Sequence, residues 1–403
     1  MQNRFIKRER KFILNDQPVR NTFLPYGKQW IEDDDIQAVV NVLKGDFLTT
    51  GPAVAEFEQA VAGYVGAKYA VSFSNGTAAL HGACFAAGIE RGDEVITTPM
   101  TFAASANCIL YQKGIPVFAD IDNATYNIDP VQIEKVITSK TKAIIPVHFT
   151  GQPVALQEIH RLAKLHNLVV IEDAAHALGA KYRRERIGGL SDMTMFSFHP
   201  VKHITSGEGG IITTNSEVYY QKLIQFRTHG ITKSSNQLSD IQGPWYYEMQ
   251  FLGFNYRMTD IQAILGTSQL KKIERFIDRR KQYITLYNQA FQDIPEIEIP
   301  YQHPDGESSW HLYLIRLDLE KLTVTRKEIF EALIKENIGV NVHYIPVYWM
   351  PYYQELGYSK GICPNAERLY EEIITLPLFP AMTTEDVNDV IDAVMKIMIR
   401  YRK

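Results

Sequence analysis

The chain has 403 residues, 45% hydrophobic and 22% charged, enough apolar material for a large core and a second domain, which excludes disordered and fibrous architectures. Forty-two basic against forty-six acidic side chains leave a net charge of -4, so there is no field to hold a polyanion by counterion release, and nucleic acid is not an expected partner. No apolar run approaches the ~18 residues that cross a bilayer, and Cys84, Cys108 and Cys363 are too few for a disulfide framework and match no metal-site spacing.

Residues 1–22 are locally basic (Arg4, Lys7, Arg8, Arg10, Lys11 and Arg20) and lack the apolar core of a secretion signal. They read as a solvated tail, and the protein is expected in the cytoplasm. Across residues 23–272, runs rich in Val, Ile and Phe alternate with amphipathic stretches. The runs Tyr69–Phe73, Glu94–Thr97, Pro116–Ala119, Ala143–Val147, Leu168–Glu172, Thr194–Phe198 and Gly210–Thr213 show no in-out alternation. Such strands are buried on both faces, as in a mostly parallel sheet. Between them, Glu56–Tyr64, Thr77–Ala87, Pro130–Ile137 and Val154–His166 space apolar residues by three and four, and Asp129-Pro130 is a helix start signal. A large α/β domain is predicted. From Thr259 a long helical pattern runs through Ile273 and Phe276; beyond it Trp310–Ile315 and Val340–Tyr344 read as strands among helices, and Pro300–Gly306 as a loop. Residues 273–403 are therefore expected to form a smaller α+β domain.

Ligands of open α/β sheets bind outside the carboxyl ends of the strands. Val169-Val170-Ile171-Glu172-Asp173 is a buried strand that ends there in a carboxylate. Taken alone, Asp173 is equally an N-cap and His176 a packed core histidine. Lys202 follows another strand and a Pro turn, and precedes the glycine-rich return Gly207-Glu208-Gly209-Gly210. A lysine amine attacks carbonyl carbon only when unprotonated, a state that a partly desolvated pocket favours. In Ser74-Asn75-Gly76-Thr77 a strand passes through a turn into a helix, whose first amides, beside Asn75 and Thr77, offer an anion site; alone, this is as readily an ordinary capped turn. No Walker-type phosphate loop and no Gly-x-Gly-x-x-Gly after the first strand is present, so nucleotide hydrolysis and nicotinamide chemistry lose their support. Together, a phosphate site, an acid for a ring nitrogen and a lysine for an aldehyde match pyridoxal 5'-phosphate. No metal is expected.

Six motifs then carry a resemblance: Leu48-Thr49-Thr50-Gly51-Pro52, Ser74-Asn75-Gly76-Thr77-Ala78-Ala79-Leu80, Glu172-Asp173-Ala174-Ala175-His176, Phe196-Ser197-Phe198-His199-Pro200-Val201-Lys202, Gly253-Phe254-Asn255-Tyr256-Arg257-Met258 and Val342-His343-Tyr344. In combination they resemble the DegT/DnrJ/EryC1/StrS sugar aminotransferases over nearly the whole chain. The resemblance implies the aspartate-aminotransferase fold (fold type I of pyridoxal-phosphate enzymes), with a mostly parallel central sheet, and a homodimer with shared active sites. It implies Lys202 as the Schiff-base lysine, Asp173 as partner of the pyridine nitrogen and His176 as the residue stacked on the ring. Gly76, Thr77 and Ser197, with Asn75 beside them, fall on phosphate-binding positions, and Asn255 on one that reaches the phosphate from the neighbouring subunit. Tyr26, Thr49, His343 and Tyr344 match segments that line the sugar-nucleotide pocket. Lysine at 202 favours amino transfer over the dehydration of family members with histidine there.

The wording around Lys202 and His343 is similar to the branch that transfers the amino group of glutamate to C4 of a UDP-linked 4-keto-6-deoxy-N-acetylhexosamine. The product there is UDP-4-amino-4,6-dideoxy-N-acetyl-β-L-altrosamine, for pseudaminic acid. His203 departs from that branch, where Pro is expected. Enzymes for UDP-4-keto-arabinose or GDP-4-keto-6-deoxymannose share the motifs, as would a non-catalytic regulator that binds the cofactor.

Overall fold

The computed structural model describes residues 17–403, so the first sixteen residues of the expected basic tail lie outside the described residues. The tail's last residues are anchored: Arg20 pairs with Asp386 and Asp389, and Val19 packs on the core of the C-terminal part.

Seven strands form the central sheet: β1 (Tyr69–Phe73), β2 (Glu94–Thr97), β3 (Ile115–Phe118), β4 (Thr141–Ile145), β5 (Val169–Asp173), β6 (Met193–Ser197) and β7 (Gly210–Thr214). Their order is β1-β7-β6-β5-β4-β2-β3. Every pair from β6 to β3 is parallel, while β7 runs antiparallel to both β1 and β6. Each strand expected between Tyr69 and Thr213 is present, with ends displaced by at most two residues. Continuous apolar runs are explained by two covered faces. Val170, Phe196 and Ile211 point into a core shared with α2 (Pro52–Val65), α6 (Leu156–His166) and α8 (Asp260–Leu270), with α1 (Asp33–Leu43) packed on α8; Ile171, Met195 and Ile212 point to the other side, against α3 (Gly76–Ala86), α4 (Ala104–Tyr111) and α7 (Glu217–Phe226). The short α5 (Pro130–Val136) opens on Asp129, whose side chain accepts from Val131 N.

The helical pattern expected from Thr259 through Phe276 is two helices. The first, α8, closes at Lys271, and α9 (Ile273–Phe291) starts at once. The longer helix joins two cores: Ile273, Phe276 and Ile277 pack below the sheet, whereas Tyr283, Ile284, Tyr287 and Phe291 pack in the C-terminal part. There, the antiparallel strands β8 (Ile297–Glu298), β9 (Tyr313–Leu317) and β10 (Ile373–Leu376) are covered by α10 (Arg326–Lys335) and α12 (Thr384–Tyr401), with α11 (Pro364–Glu372) against β9.

Val340–Tyr344, expected as a strand, is an extended segment with a single bridge, Asn341 to Thr375. Beyond this bridge the contact with β10 is by side chain, His343 Nδ1 to the Thr375 hydroxyl, and Tyr344 turns toward His176. The expected strand at Trp310 starts only at Tyr313, because Trp310 has a φ of +55°. Among the described residues no helix is long and apolar enough to cross a membrane.

Candidate active site

The carboxyl ends of β1, β2, β5 and β6 open onto one cavity of about 890 Å³. Strand alternation sends the last two side chains of β5 to opposite faces, Asp173 into the cavity and Glu172 beneath it. Asp173 is 4% exposed; its Oδ2 accepts from Ser105 Oγ at 2.5 Å and its Oδ1 from Ala175 N at 3.1 Å. Burial pushes its carboxyl above the usual range, opposed by those hydrogen bonds and by the charge of Lys202. No Lys or Arg makes a direct ion pair with it among the described residues, although the Lys202 charge acts on it.

Lys202 follows β6 in a tight turn, with its N donating to His199 O at 2.9 Å, and lines the same cavity. Burial brings its amine down to about 8, against the pull of Asp173. Roughly a tenth is then the neutral nucleophile at pH 7.

At the other end, Asn75 caps α3 by accepting from Ala78 N at 2.8 Å. The cap satisfies the third helical amide and leaves those of Gly76 and Thr77 for an anion. The Ser197 side chain lies against Gly76, where a Cβ would come within 3.4 Å of it. Gly210 permits the close approach of β7: a Cβ there would sit 2.4 Å from Asn75 O.

His176 follows β5 and is buried, with Nε2 3.0 Å from the Tyr344 hydroxyl and Nδ1 without a partner. Burial, then the Lys202 charge, hold it well below the usual histidine range, so it is a neutral imidazole. His343 is equally neutral, brought down to about 3 by burial. Its Nδ1 lies 2.8 Å from Thr375 Oγ1, and Tyr26 packs on its ring at 5.5 Å.

Of the residues singled out in the sequence, Tyr26, Asn75, Gly76, Thr77, Asp173, His176, Ser197, Lys202, His343 and Tyr344 all line this cavity. Thr49 and Asn255 do not: both are exposed, bridged to Thr259 and Thr228 respectively. Sequence reasoning missed Ser105, Phe102 and His311. The Thr101-Phe102-Ala103-Ala104-Ser105 run follows the carboxyl end of β2, and the rule that singled out Asp173 applies there too.

Two free helical amides, a hydroxyl, a buried carboxylate without a direct ion pair and a partly neutral amine, all on one cavity, fit pyridoxal 5'-phosphate. The sequence pattern of the DegT/DnrJ/EryC1/StrS aminotransferase family matches residues 29–395. The chain belongs to this family. As a member it is a sugar aminotransferase that depends on pyridoxal phosphate, with the fold type I architecture. It is 45% identical to the spore coat polysaccharide biosynthesis protein SpsC of Bacillus subtilis, over 94% of this chain and 98% of the relative. Helicobacter pylori PseC, an aminotransferase involved in the biosynthesis of pseudaminic acid, superposes with a TM-score of 0.88 at 33% identity, covering 94% of this chain and all of that one. The PLP form of a putative sugar aminotransferase from Streptococcus pneumoniae superposes at 0.86 with 31% identity, over 94% of this chain and 99% of the other.

Proposed function

We propose that the protein moves the amino group of glutamate to C4 of a UDP-linked 4-keto-6-deoxy-N-acetylhexosamine, giving UDP-4-amino-4,6-dideoxy-N-acetyl-β-L-altrosamine for pseudaminic acid. The reaction rests on one observation, the Lys202 amine and the Asp173 carboxylate on a single cavity that ends at the α3 amides. The likeness to PseC over the full length supports the sugar.

Bound pyridoxal phosphate supplies an electron sink that acidifies the carbon carrying the amino group. The amides of Gly76 and Thr77, the Ser197 hydroxyl and the Asn75 turn would hold its phosphate. Asp173 would pair with its ring nitrogen and keep that nitrogen protonated. His176, a neutral imidazole bonded to Tyr344, would pack against the ring. Lys202 would hold its aldehyde, and the free Lys202 amine would take the α-proton of glutamate and deliver a proton to C4 of the sugar. Tyr26, His343 and Tyr344 line the sugar side. Asn255 completes the phosphate site of a neighbouring subunit, so the working form is a homodimer.

The higher identity to SpsC supports a second reading, amination of another nucleotide-linked 4-keto sugar destined for a polysaccharide. Purified protein is incubated with glutamate and a panel of UDP-, GDP- and TDP-linked 4-keto sugars, and the product is identified by mass and NMR. Conversion of the UDP-N-acetyl substrate in preference to the others is expected. Failure on it, with turnover of another, replaces the first reading by the second.

A further inference from the structure

His203, next to Lys202, is 2% exposed, and its Nε2 lies 3.0 Å from the Ser309 carbonyl oxygen. A carbonyl oxygen only accepts, so Nε2 carries the proton; Nδ1 is a bare lone pair without a partner. The segment that supplies this carbonyl is held on several sides. Ser309 N donates to Gly151 O at 3.1 Å, Ser309 Oγ to His176 O at 3.1 Å, and His311 N to Thr150 O at 2.8 Å. From α9, Arg280 Nη1 donates to the carbonyls of Trp310 at 3.2 Å, His311 at 3.0 Å and Leu378 at 2.8 Å. Arg280 is 1% exposed and pairs with no carboxylate among the described residues. A buried guanidinium without an anion lowers stability, and what it yields here is a rigid strut at residues 309–311. The His311 ring sits 4.4 Å from that of His176 and 5.4 Å from that of His203.

At the foot of the lysine turn Phe198 O accepts from Ser206 N and Thr205 Oγ1, both at 3.0 Å; at its tip His199 is exposed, and Lys202 N donates to His199 O. The nearest fixed point is therefore the residue that follows.

We propose that His203 is a positioning residue for Lys202: its bond to the Ser309 carbonyl ties the lysine turn to the strut that also carries His176. The proposal rests on the reading of Lys202 as the residue that binds the cofactor. Charged and titratable groups face the Lys202 amine from every side: Asp173 at the end of β5, His176 in the turn after it, His311 on the strut and His343 on the C-terminal segment, with Arg280 behind His203. Asp173 is the anion whose charge acts on the amine, and Glu208 lines the same cavity, so the amine's proton affinity and its reach depend on where the turn is held.

The test uses the full-length, cofactor-loaded protein with His203→Met, which fills the site without a donor, and His203→Gln, which is long enough to donate to the Ser309 carbonyl. For His203→Met, kcat falls about tenfold or more, while KM for glutamate stays within about twofold. The midpoint of the pH-dependent absorbance change of the lysine-linked cofactor moves up by about half a unit or more as the amine gains access to water. His203→Gln restores both. If His203→Met is insoluble, His203→Asn, too short for the carbonyl, is read in its place. Wild-type kcat and midpoint in the variant without a donor overturn the proposal; so do equal losses in His203→Gln, which assign the residue to packing. Lys202→Arg is run alongside: a lysine-linked absorbance retained there refutes the Lys202 reading itself, a result distinct from either failure of His203.

Discussion

Ser105 Oγ lies 2.5 Å from Asp173 Oδ2, and it is the one side-chain donor to that buried carboxylate among the described residues. The hydroxyl stands in the first turn of α4, where Thr101 Oγ1, 2.7 Å away, fixes its direction. A hydrogen bond to a charged group contributes about 1.5–3 kcal/mol. Ser105→Ala therefore lowers kcat/KM by roughly ten- to a hundredfold, with a change of only a few degrees in Tm, since no helix contact is lost. Steady-state kinetics and a thermal scan check this together; a variant with unchanged kcat/KM removes Ser105 from the site.

The sheet was legible because Val169 to Asp173 and its sister runs carry no alternation, and strands buried on both faces have none to carry. Asp173 and Lys202 were legible because each sits where a strand ends and a turn begins. Ser105 was not: its partner is 68 residues away, and a serine between alanines has no pattern of its own. His311 likewise gains meaning only from the ring packed beside it, 135 residues distant in sequence, that of His176. The strand expected at Val340 to Tyr344 failed for a local reason, since Val-x-Val-x-Tyr spacing suits an extended chain whether or not a partner strand is there. In the structure the partner is one residue, Thr375.

The cofactor-free protein carries the burial of Lys202 as a pH signature. Its amine titrates at about 8 in the folded chain, against about 10.4 in the unfolded one. Between those values the unfolded state binds more protons, so this group makes stability rise with pH there, by up to about 1.4 kcal/mol per pH unit. Below 8 the penalty is present in full. Cofactor-free Lys202→Met is accordingly more stable than the unsubstituted protein below pH 8, and the gap closes as pH rises toward 10. Arg280, brought down to about 9 by burial, is common to both proteins and cancels in the difference. Urea unfolding across this range is the measurement, and a gap independent of pH contradicts the burial argument.

Beneath the cavity, His148 Nε2 and Glu172 Oε2 are 2.6 Å apart and both side chains are fully buried. Val154 N donates to His148 Nδ1 at 3.1 Å, so Nε2 carries the proton, and Thr194 Oγ1 donates to Glu172 Oε1 at 3.0 Å. Although burial pushes Glu172 up, these bonds bring its carboxyl below the usual range. His148→Leu leaves the buried Glu172 carboxylate without that donor and costs about 3–5 kcal/mol in urea unfolding at pH 7. Glu172→Gln, whose amide oxygen still accepts from His148 Nε2 while its NH2 donates to a turned Thr194 hydroxyl, costs nearer 1 kcal/mol. The double variant His148→Leu with Glu172→Met is less destabilised than His148→Leu alone; additive losses show that the pair is not coupled.

Asn255 offers a test of the shared site. It is exposed on its own chain, three residues after Leu252, which is 78% exposed. If Asn255 completes the phosphate site of a neighbouring subunit, Lys202→Ala and Asn255→Ala are defective in different chains of one site. Each alone is inactive or weak. Refolded together in equal amounts, half of the dimers are mixed, and each mixed dimer carries one site with both residues intact and one with both lost. About a quarter of the unsubstituted activity returns. A mixture that stays at the mean of the two variants means that each chain builds its phosphate site alone, and the homodimer with shared sites has to be given up even if the protein is found to be dimeric.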